Sequence, residues 1–341
     1  MAVYCGLLGA TMILLSIYNK HKNKIFAILP FVLMALVCGL RNGVGRDYQN
    51  YVWMMRDIKN GVTTIGDVEW GFWLLVKFVQ LIGGSNQVVF LVLACLTCYF
   101  YYMFIMEHSD NFALASFLYL CMGPFYFSSF NTMRESLTVA MCLCSLKYFN
   151  KNTLKFYLMV FTAILFHNSA IVFLFLPLTR YLRQKYSLYL LVSGFILFLL
   201  IQLGLIEWLI SAFLPAYDGY ITRENAMDIS YALFLLFYIV AIVLIPRANI
   251  EIEKVFMYLM VFSSALILCA LTTNKLTMML TRLVQYGSPC FIIVVPKLAA
   301  IVKQKQIYYA AVVGFAVVYY LYVCSTGIDM LPYNANFQMF A

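Results

Sequence analysis

Apolar runs of membrane-spanning length recur along the chain, and this pattern constrains the fold more than any other feature. A helix needs about 20 apolar residues to cross the hydrocarbon core of a bilayer. Of the 341 residues, 64% are hydrophobic and 11% are charged, whereas about one quarter of the residues in soluble domains are charged. The sequence therefore predicts an all-α, polytopic integral membrane protein with about 10–12 transmembrane helices, folded as a single domain over residues 1–341.

Ten segments have the length and composition of spans, namely 2–18, 25–40, 86–106, 111–128, 132–149, 187–205, 229–246, 254–273, 280–296 and 305–325. Two more are ambiguous. Segment 68–82 is short and charged, and segment 154–178 is interrupted at His167. If 68–82 lies in the outer interface and 154–178 forms two short helices that turn at His167, the lysine-rich loops all lie on one side. The positive-inside rule favours this topology over one in which 68–82 crosses and 154–178 is a single span.

Arginine predominates in the predicted outer loops, which include residues 41–85 and 206–228. The outer arginines are Arg41, Arg46, Arg56, Arg134, Arg223 and Arg282. Because a guanidinium can grip a phosphate through two hydrogen bonds and keeps its charge, this set predicts an anionic ligand. The alternative is that these arginines contact lipid headgroups or acidic neighbours, as for Arg56 beside Asp57.

Two outer segments carry polar residues next to apolar helices. After the second predicted span, glycines at 43 and 45 separate Arg41, Arg46 and Asp47; they either let backbone amides approach a ligand or form a flexible turn. Further on, Asn131 is a candidate N-cap for a helix that carries Arg134 and Glu135 in its first turns. Arg134 there either serves function or pairs internally with Glu135 or Asp47.

His167 lies at the predicted turn between two short helices, a broken-helix arrangement found beside cavities in membrane proteins. The alternative is a packing histidine with satisfied hydrogen bonds.

Three further features complete the sequence analysis. The acidic outer loop 206–228 is a candidate lid over a cavity. The ten cysteines lie in apolar runs without the spacing of metal ligands, so neither a metal nor a cofactor is expected. The charges lie between apolar segments, which argues against nucleic-acid binding.

Four blocks together carry a family resemblance. They are Arg41-x-Gly43-x-Gly45-x-Asp47-Tyr48-x-x-Tyr51, Glu69-x-Gly71-Phe72, Arg134-Glu135-x-Leu137 and His167-Asn168-Ser169-Ala170. Their spacing resembles the EpsG-like branch of the Wzy polysaccharide polymerases over roughly residues 30–180; beyond residue 180 only the hydropathy matches.

The resemblance implies a polymerase of the glycosyltransferase C type on the outer face of the bacterial inner membrane. Such an enzyme moves a growing glycan from undecaprenyl pyrophosphate onto a lipid-linked repeat unit. O-antigen, and hence lipopolysaccharide, is the expected product. Membrane lipid and a chain-length regulator protein are the expected partners, besides the lipid-linked oligosaccharide.

The resemblance also implies roles for individual residues. Arg41, Arg46 and Arg134 are expected to bind the carrier pyrophosphate, whereas Arg223 and Arg282 are added by topology alone. Gly43, Gly45 and Tyr48 are expected to shape the loop. The candidates for the general base are, in order, His167, Asp47 and Glu69. Three alternatives remain open at this point: a polytopic acyltransferase that uses His167, a flippase or transporter, and a ligase-like enzyme that passes the glycan to another acceptor.

Overall fold

The protein is mainly helical. The computed structural model describes residues 1–122, 125–213, 219, 229–273, 276–327 and 329–340. The chain is 76% helical, and the described residues contain no strand. These findings confirm the predicted all-α, polytopic membrane class.

In chain order the helices are α1 (Ala2–His21), α2 (Lys24–Gly39), α3 (Tyr48–Lys59), α4 (Trp70–Leu81), α5 (Asn86–His108), α6 (Phe112–Cys121), α7 (Ser128–Asn131), α8 (Met133–Phe149), α9 (Thr153–Ile164), a 3₁₀ helix (Asn168–Tyr181), α10 (Tyr186–Gln202), α11 (Leu205–Phe213), α12 (Ile229–Arg247), α13 (Lys254–Thr273), α14 (Thr277–Val284), α15 (Cys290–Leu298) and α16 (Lys305–Thr326).

Packing divides the chain into two compact units, where the sequence analysis treats it as one domain. The first unit comprises residues Met1–Phe175 and Gln306–Ala341, and the second comprises Leu176–Lys305. In the first unit α5 packs against α2 and α8, and α8 packs against α9. In the second unit α13 packs against α10, α12 and α14.

Several helices are shorter than the apolar runs that encode them. Within the described ranges, α1, α5, α13 and α16 are each long and apolar enough to cross a membrane, and α10 with α11 forms a broken pair bent by 70°. The other apolar helices are α2, α4, α6, α9 and residues 231–247 of α12, with 10–17 residues each. The ends of such helices cannot be located from the sequence, because hydropathy is uniform along these runs and packing decides where each helix stops.

The two ambiguous segments form short helices. With 12 residues, α4 is about 18 Å long, well below the ~30 Å thickness of the hydrocarbon core. Helix α9 ends at Ile164 and the 3₁₀ helix begins at Asn168, so the helical run breaks at His167, as the sequence predicts.

Lysines cluster at one end of the first unit. At the carboxyl end of α5, Glu107 forms ion pairs with Lys147 and Lys151 of the α8 end, at 3.2 and 2.9 Å. The α1–α2 turn adds Lys20, Lys22 and Lys24. We call this the lysine end. The opposite end holds the carboxyl end of α2 and the amino ends of α5 and α8.

The final described stretch, residues 329–340, lies along this opposite end and is called the C-terminal segment. Its backbone pairs with the loop after α2 and with the start of α5 through Asn42–Asn334, Asn336–Leu40 and Ser85–Met339, each with an N···O distance of 2.8 Å. The segment thus contacts residues from the first third of the chain.

Candidate functional site

Glu69 and His167 form a buried pair at the end of the first unit opposite the lysine end. Glu69 directly precedes α4 in an extended conformation, and its Oε1 lies 2.6 Å from Nδ1 of His167. A carboxylate at Nδ1 favours the tautomer with its proton on that nitrogen, which leaves a lone pair on Nε2. No described residue hydrogen-bonds to Nε2. This nitrogen can therefore accept a proton.

Arg134 completes the group. Its Nη1 donates a hydrogen bond to Oε2 of Glu69, so the two oxygens of one carboxylate join an imidazole to a guanidinium. The exposed fraction of the side chain is 9% for Glu69, 11% for His167 and 18% for Arg134. We call these three residues the buried triad.

The surroundings of Glu69 keep it ionised. Burial opposes the charge on this carboxyl group, but the hydrogen bond with His167 and the positive charge of Arg134 outweigh burial. The pKa of Glu69 therefore lies below its usual value. An ionised Glu69 is what the orienting role beside His167 requires.

Two aromatic rings enclose the Arg134 guanidinium. Its central carbon lies 5.2 Å from the Phe72 ring centroid and 5.8 Å from that of Tyr51, both within the range of cation–π attraction. Burial raises the pKa of the Tyr51 phenol, and the charge and hydrogen bond of Arg134 oppose that rise. These contacts fix the direction in which Arg134 points.

Gly71 explains how Glu69 reaches His167. The Gly71 amide donates a 2.6 Å hydrogen bond to the Leu165 carbonyl. A Cβ added at Gly71 would lie 2.8 Å from that oxygen, so only glycine permits this approach. The contact holds the start of α4 against the chain just before His167.

The loop after α2 lies against the start of α8. Gly45 has a φ of +99°, and a Cβ there would lie 2.3 Å from the Phe130 carbonyl oxygen. The next amide, that of Arg46, donates a 2.7 Å hydrogen bond to Oδ1 of Asn131. The prediction that Asn131 caps the helix is wrong. Thr132 occupies the cap position and its side chain makes no capping hydrogen bond, while the Asn131 amide oxygen is engaged by the loop.

Arg46 and Asp47 are the accessible charged residues of this loop. Arg46 is exposed, and within the described ranges its side chain has no ion-pair partner. Asp47 is half-buried and accepts a 3.4 Å hydrogen bond from Asn50. Its charge adds a minor upward contribution to the pKa of Tyr51, after burial. Asp47 therefore lies near the aromatic neighbours of Arg134.

Arg41 has a different place from the one expected. It is fully buried and donates to the carbonyls of Val44 and Phe130 at 3.1 and 3.2 Å. Its guanidinium also lies 5.0 Å from the Phe90 ring centroid. Tyr48 stacks on the same ring at 4.7 Å. Since the Arg41 donors are turned inwards to backbone oxygens, Arg41 supports the loop and does not present itself to a ligand.

The remaining expected residues are not part of this group. Gly43 is exposed with a φ of +66°. Arg282 lies half-buried on α14 in the second unit. Arg223 lies outside the described residues, as does most of the expected lid 206–228 beyond α11. No group of three or more His, Cys, Asp or Glu residues that could hold a metal ion is found in the described part of the chain.

Sequence reasoning foresaw the members of the triad but not their partnership. Arg134 pairs with Glu69, and not with the Glu135 or Asp47 weighed from the sequence. It also missed Tyr51 and Phe72 as neighbours of Arg134, although both belong to the quoted blocks. Phe72 shares a block with Glu69, and Tyr51 closes the block that begins at Arg41; their place in these blocks was the signal that could have found them.

Comparison with known families extends the resemblance. The EpsG family model matches residues 24–335, well beyond residues 30–180, so the view that only hydropathy matches after residue 180 is corrected. Neither the curated proteins nor the solved structures yield a significant match. Because the family match includes all four motif blocks and nearly the whole chain, this protein belongs to the EpsG family, which is associated with polysaccharide polymerisation.

Proposed function

We propose that the chain is a polysaccharide polymerase that transfers a growing glycan from undecaprenyl pyrophosphate onto a lipid-linked repeat unit. The reaction takes place at the outer face of the bacterial inner membrane, and O-antigen is the favoured product. The observation that carries this proposal is the Glu69–His167 pair joined to Arg134 at the start of α8, against which Asn131 holds the loop of the exposed Arg46. A base and fixed positive charge are the two groups that such a transfer needs without a metal ion.

His167 acts as the general base. The acceptor hydroxyl oxygen attacks the anomeric carbon of the donor sugar, and its proton passes to Nε2 of His167. The bond between the anomeric carbon and the pyrophosphate oxygen breaks, and its electron pair leaves with the pyrophosphate. Glu69 stabilises the imidazolium that forms, as the carboxylate does in a serine-hydrolase triad. Glu69 is therefore a positioning residue, since both its oxygens are engaged.

Arg46 and Arg134 have different roles in stabilising negative charge at the site. Arg46 is exposed on a loop held against the start of α8, so it is the first candidate to contact the departing pyrophosphate. Arg134 is only 18% exposed and mainly holds Glu69 in its charged form. Charge fixed in place before the reaction stabilises the leaving group without reorganisation.

The separation of charge between the two ends of the first unit supports the proposed orientation of the protein in the membrane. The triad lies at the end of the first unit opposite the lysine end, and the positive-inside rule assigns lysine-rich ends to the cytoplasm. The triad then faces the outer side, where lipid-linked repeat units are polymerised. The exposed face of α4, with Trp70, Leu74 and Phe78, begins directly after Glu69 and offers an apolar surface to the carrier lipid.

The test replaces Arg46 by alanine in a strain that depends on this gene for its surface glycan. We expect long glycan chains to collapse to single repeats while the protein level in the membrane is unchanged. Arg56→Ala is the matched control, because Arg56 is an exposed arginine paired with Asp57 and its loss should leave chain length intact. Normal chain length in Arg46→Ala would contradict the assignment of this arginine, and normal length on deletion of the gene would overturn the polymerase proposal.

The deletion strain also separates the alternatives. If the gene encodes an acyltransferase, its deletion would leave polymer length unchanged, and the glycan would lack acyl groups. Loss of a flippase would retain repeat units on the cytoplasmic side, whereas loss of a polymerase leaves single units on the outer face. If the gene encodes a ligase-like enzyme, its deletion would leave long chains attached to undecaprenyl pyrophosphate.

A further inference from the structure

We propose that the C-terminal segment, residues 329–340, is a brace that positions the loop bearing Arg46 and Asp47 for the reaction. The positional part of this inference stands on hydrogen bonds alone, and its catalytic consequence rests on the proposed function. Neither the quoted motifs nor the family match assigns a role to this segment.

The segment holds the backbone of the loop at two points. The Gly45 amide donates a 2.8 Å hydrogen bond to the Asp329 carbonyl, and the Asn42 amide donates one of the same length to the Asn334 carbonyl. Gly45 directly precedes Arg46. Because Gly45 is also in the left-handed region of φ, the direction in which Arg46 leaves the backbone depends on how this residue is held.

The segment is itself anchored to three helices. Tyr4 of α1 donates a 3.0 Å hydrogen bond to the Met330 carbonyl. Tyr333 donates one of 2.9 Å to the Val37 carbonyl of α2. At the start of α5, the Ser85 hydroxyl donates one of 2.6 Å to the Gln338 carbonyl. These anchors transmit the positions of α1, α2 and α5 to the loop.

The loop is thus fixed from two sides. On one side Asn131 accepts the Arg46 amide at 2.7 Å, and on the other Asp329 accepts the Gly45 amide. Residues 42–47 contain neither helix nor strand, so their positions depend on individual hydrogen bonds such as these. If the brace is released, the bond from the Arg46 amide to Asn131 and the bond from Arg41 to the Val44 carbonyl remain. The Gly45 and Asn42 amides lose their acceptors, and the exposed Arg46 is then less well ordered relative to the buried triad.

The first experiment measures hydrogen exchange in the purified full chain. In Tyr333→Phe, which removes one anchor without removing a ring, we expect the Asn42 and Gly45 amides to exchange about tenfold faster, the size expected for one hydrogen bond lost. A chain lacking residues Pro332–Ala341 should show a larger increase. Tyr322→Phe is the control, since Tyr322 is an exposed tyrosine of α16, and exchange should not change there.

Unchanged exchange of both amides in the truncated chain would overturn the brace, whatever the enzyme does. Faster exchange spread evenly over α2, α5 and α8 would also overturn it, because that pattern reports general destabilisation. The decisive positive result is acceleration confined to residues 42–47.

The second experiment measures polymerisation of a lipid-linked repeat unit by the protein in nanodiscs. Tyr333→Phe should lower kcat/KM about tenfold, because a less ordered Arg46 stabilises the departing pyrophosphate less well, while His167 is untouched. In a double-mutant cycle Arg46→Ala should cost much less in the Tyr333→Phe background than in the wild type. Additive losses would contradict action through Arg46. If the wild-type chain makes no polymer, the proposed function fails, and the exchange result still decides the brace.

Discussion

The Gly71 amide donates a 2.6 Å hydrogen bond to the Leu165 carbonyl, and this contact joins the start of α4 to the end of α9. Glu69 lies two residues before the donor and His167 two residues after the acceptor. The distance between the Glu69 carboxylate and the His167 ring, 2.6 Å, therefore depends on how closely two backbones approach. That approach requires a residue without a side chain.

Gly71→Ala should separate the pair. The added methyl group would meet the Leu165 oxygen at 2.8 Å, and we expect α4 to shift at a cost of about 1–3 kcal/mol, as for other overpacked sites. Polymer length should fall because Glu69 no longer reaches His167. Gly9→Ala in α1 is the control, since a Cβ there meets nothing within 4 Å. Wild-type polymer length in Gly71→Ala would show that this contact is dispensable.

Glu69→Gln should lower the free energy of unfolding and make that free energy depend less on pH. The substitution leaves Arg134 buried without its anionic partner, at a cost of about 1–3 kcal/mol. The pKa of Glu69 is lower in the folded protein than in the unfolded chain. The ionised carboxylate therefore adds fully to the free energy of unfolding at pH values above the ordinary pKa of about 4.3. This contribution is lost as the pH falls through the lower folded-state pKa. Thermal unfolding in detergent between pH 7 and pH 3 measures this effect. The variant should lose less stability than the wild type over the acid part of that range.

His167→Asn should lower the polymerisation rate by about 10²–10⁴-fold, the usual contribution of a general base. The protein should still reach the membrane, because asparagine can keep a hydrogen bond to Glu69. His21→Asn, at the exposed end of α1, is the matched control and should be silent. The rate is measured on a purified lipid-linked repeat unit. A rate within a few-fold of wild type would assign the base to Asp47.

Arg41→Ala and Arg46→Ala should have opposite consequences. Loss of the buried Arg41 leaves the Val44 and Phe130 carbonyls without their donor, and we expect destabilisation of about 3 kcal/mol or more. Arg46→Ala should leave the melting temperature unchanged and shorten the polymer. Membrane abundance and thermal unfolding of the two variants distinguish these roles. Equal melting temperatures would contradict a structural role for Arg41.

The orientation can be tested with single cysteines in a background that lacks the two exposed native ones, Cys5 and Cys95. Val62, exposed at 72% in the loop between α3 and α4, should react as Val62→Cys with an impermeant maleimide from outside. Lys151→Cys, at the lysine end, should react only after the membrane is opened. The reverse pattern would place the triad on the cytoplasmic side.

The sequence predicts the helices and the separation of charges well, because both follow from local composition. Hydropathy marks apolar runs, and the lysines mark the ends that the positive-inside rule assigns to the cytoplasm. The break at His167 was also predictable, since three polar residues interrupt an apolar run. The helix ends within uniform runs, such as the end of α10 at Gln202, were not predictable, because packing decides them.

The pairing of residues far apart in the chain could not be derived from local pattern. Glu69 and His167 are separated by 98 positions, and Glu69 and Arg134 by 65. The burial of Arg41 was hidden because its partners are backbone carbonyls, which every sequence contains. The C-terminal segment was missed for the same reason, since most of its contacts are main-chain hydrogen bonds without a residue signature.

The link between Tyr4 and Met330, which are 326 positions apart, has a consequence for the biogenesis of the protein. The loop after α2 is synthesised well before the residues that pair with it, since Gly45 and its partner Asp329 are 284 positions apart. Until those residues are released by the ribosome and reach the same side of the bilayer, the loop has only part of its hydrogen bonds. The first helices can thus be inserted in the membrane while the loop after α2 is still incompletely ordered.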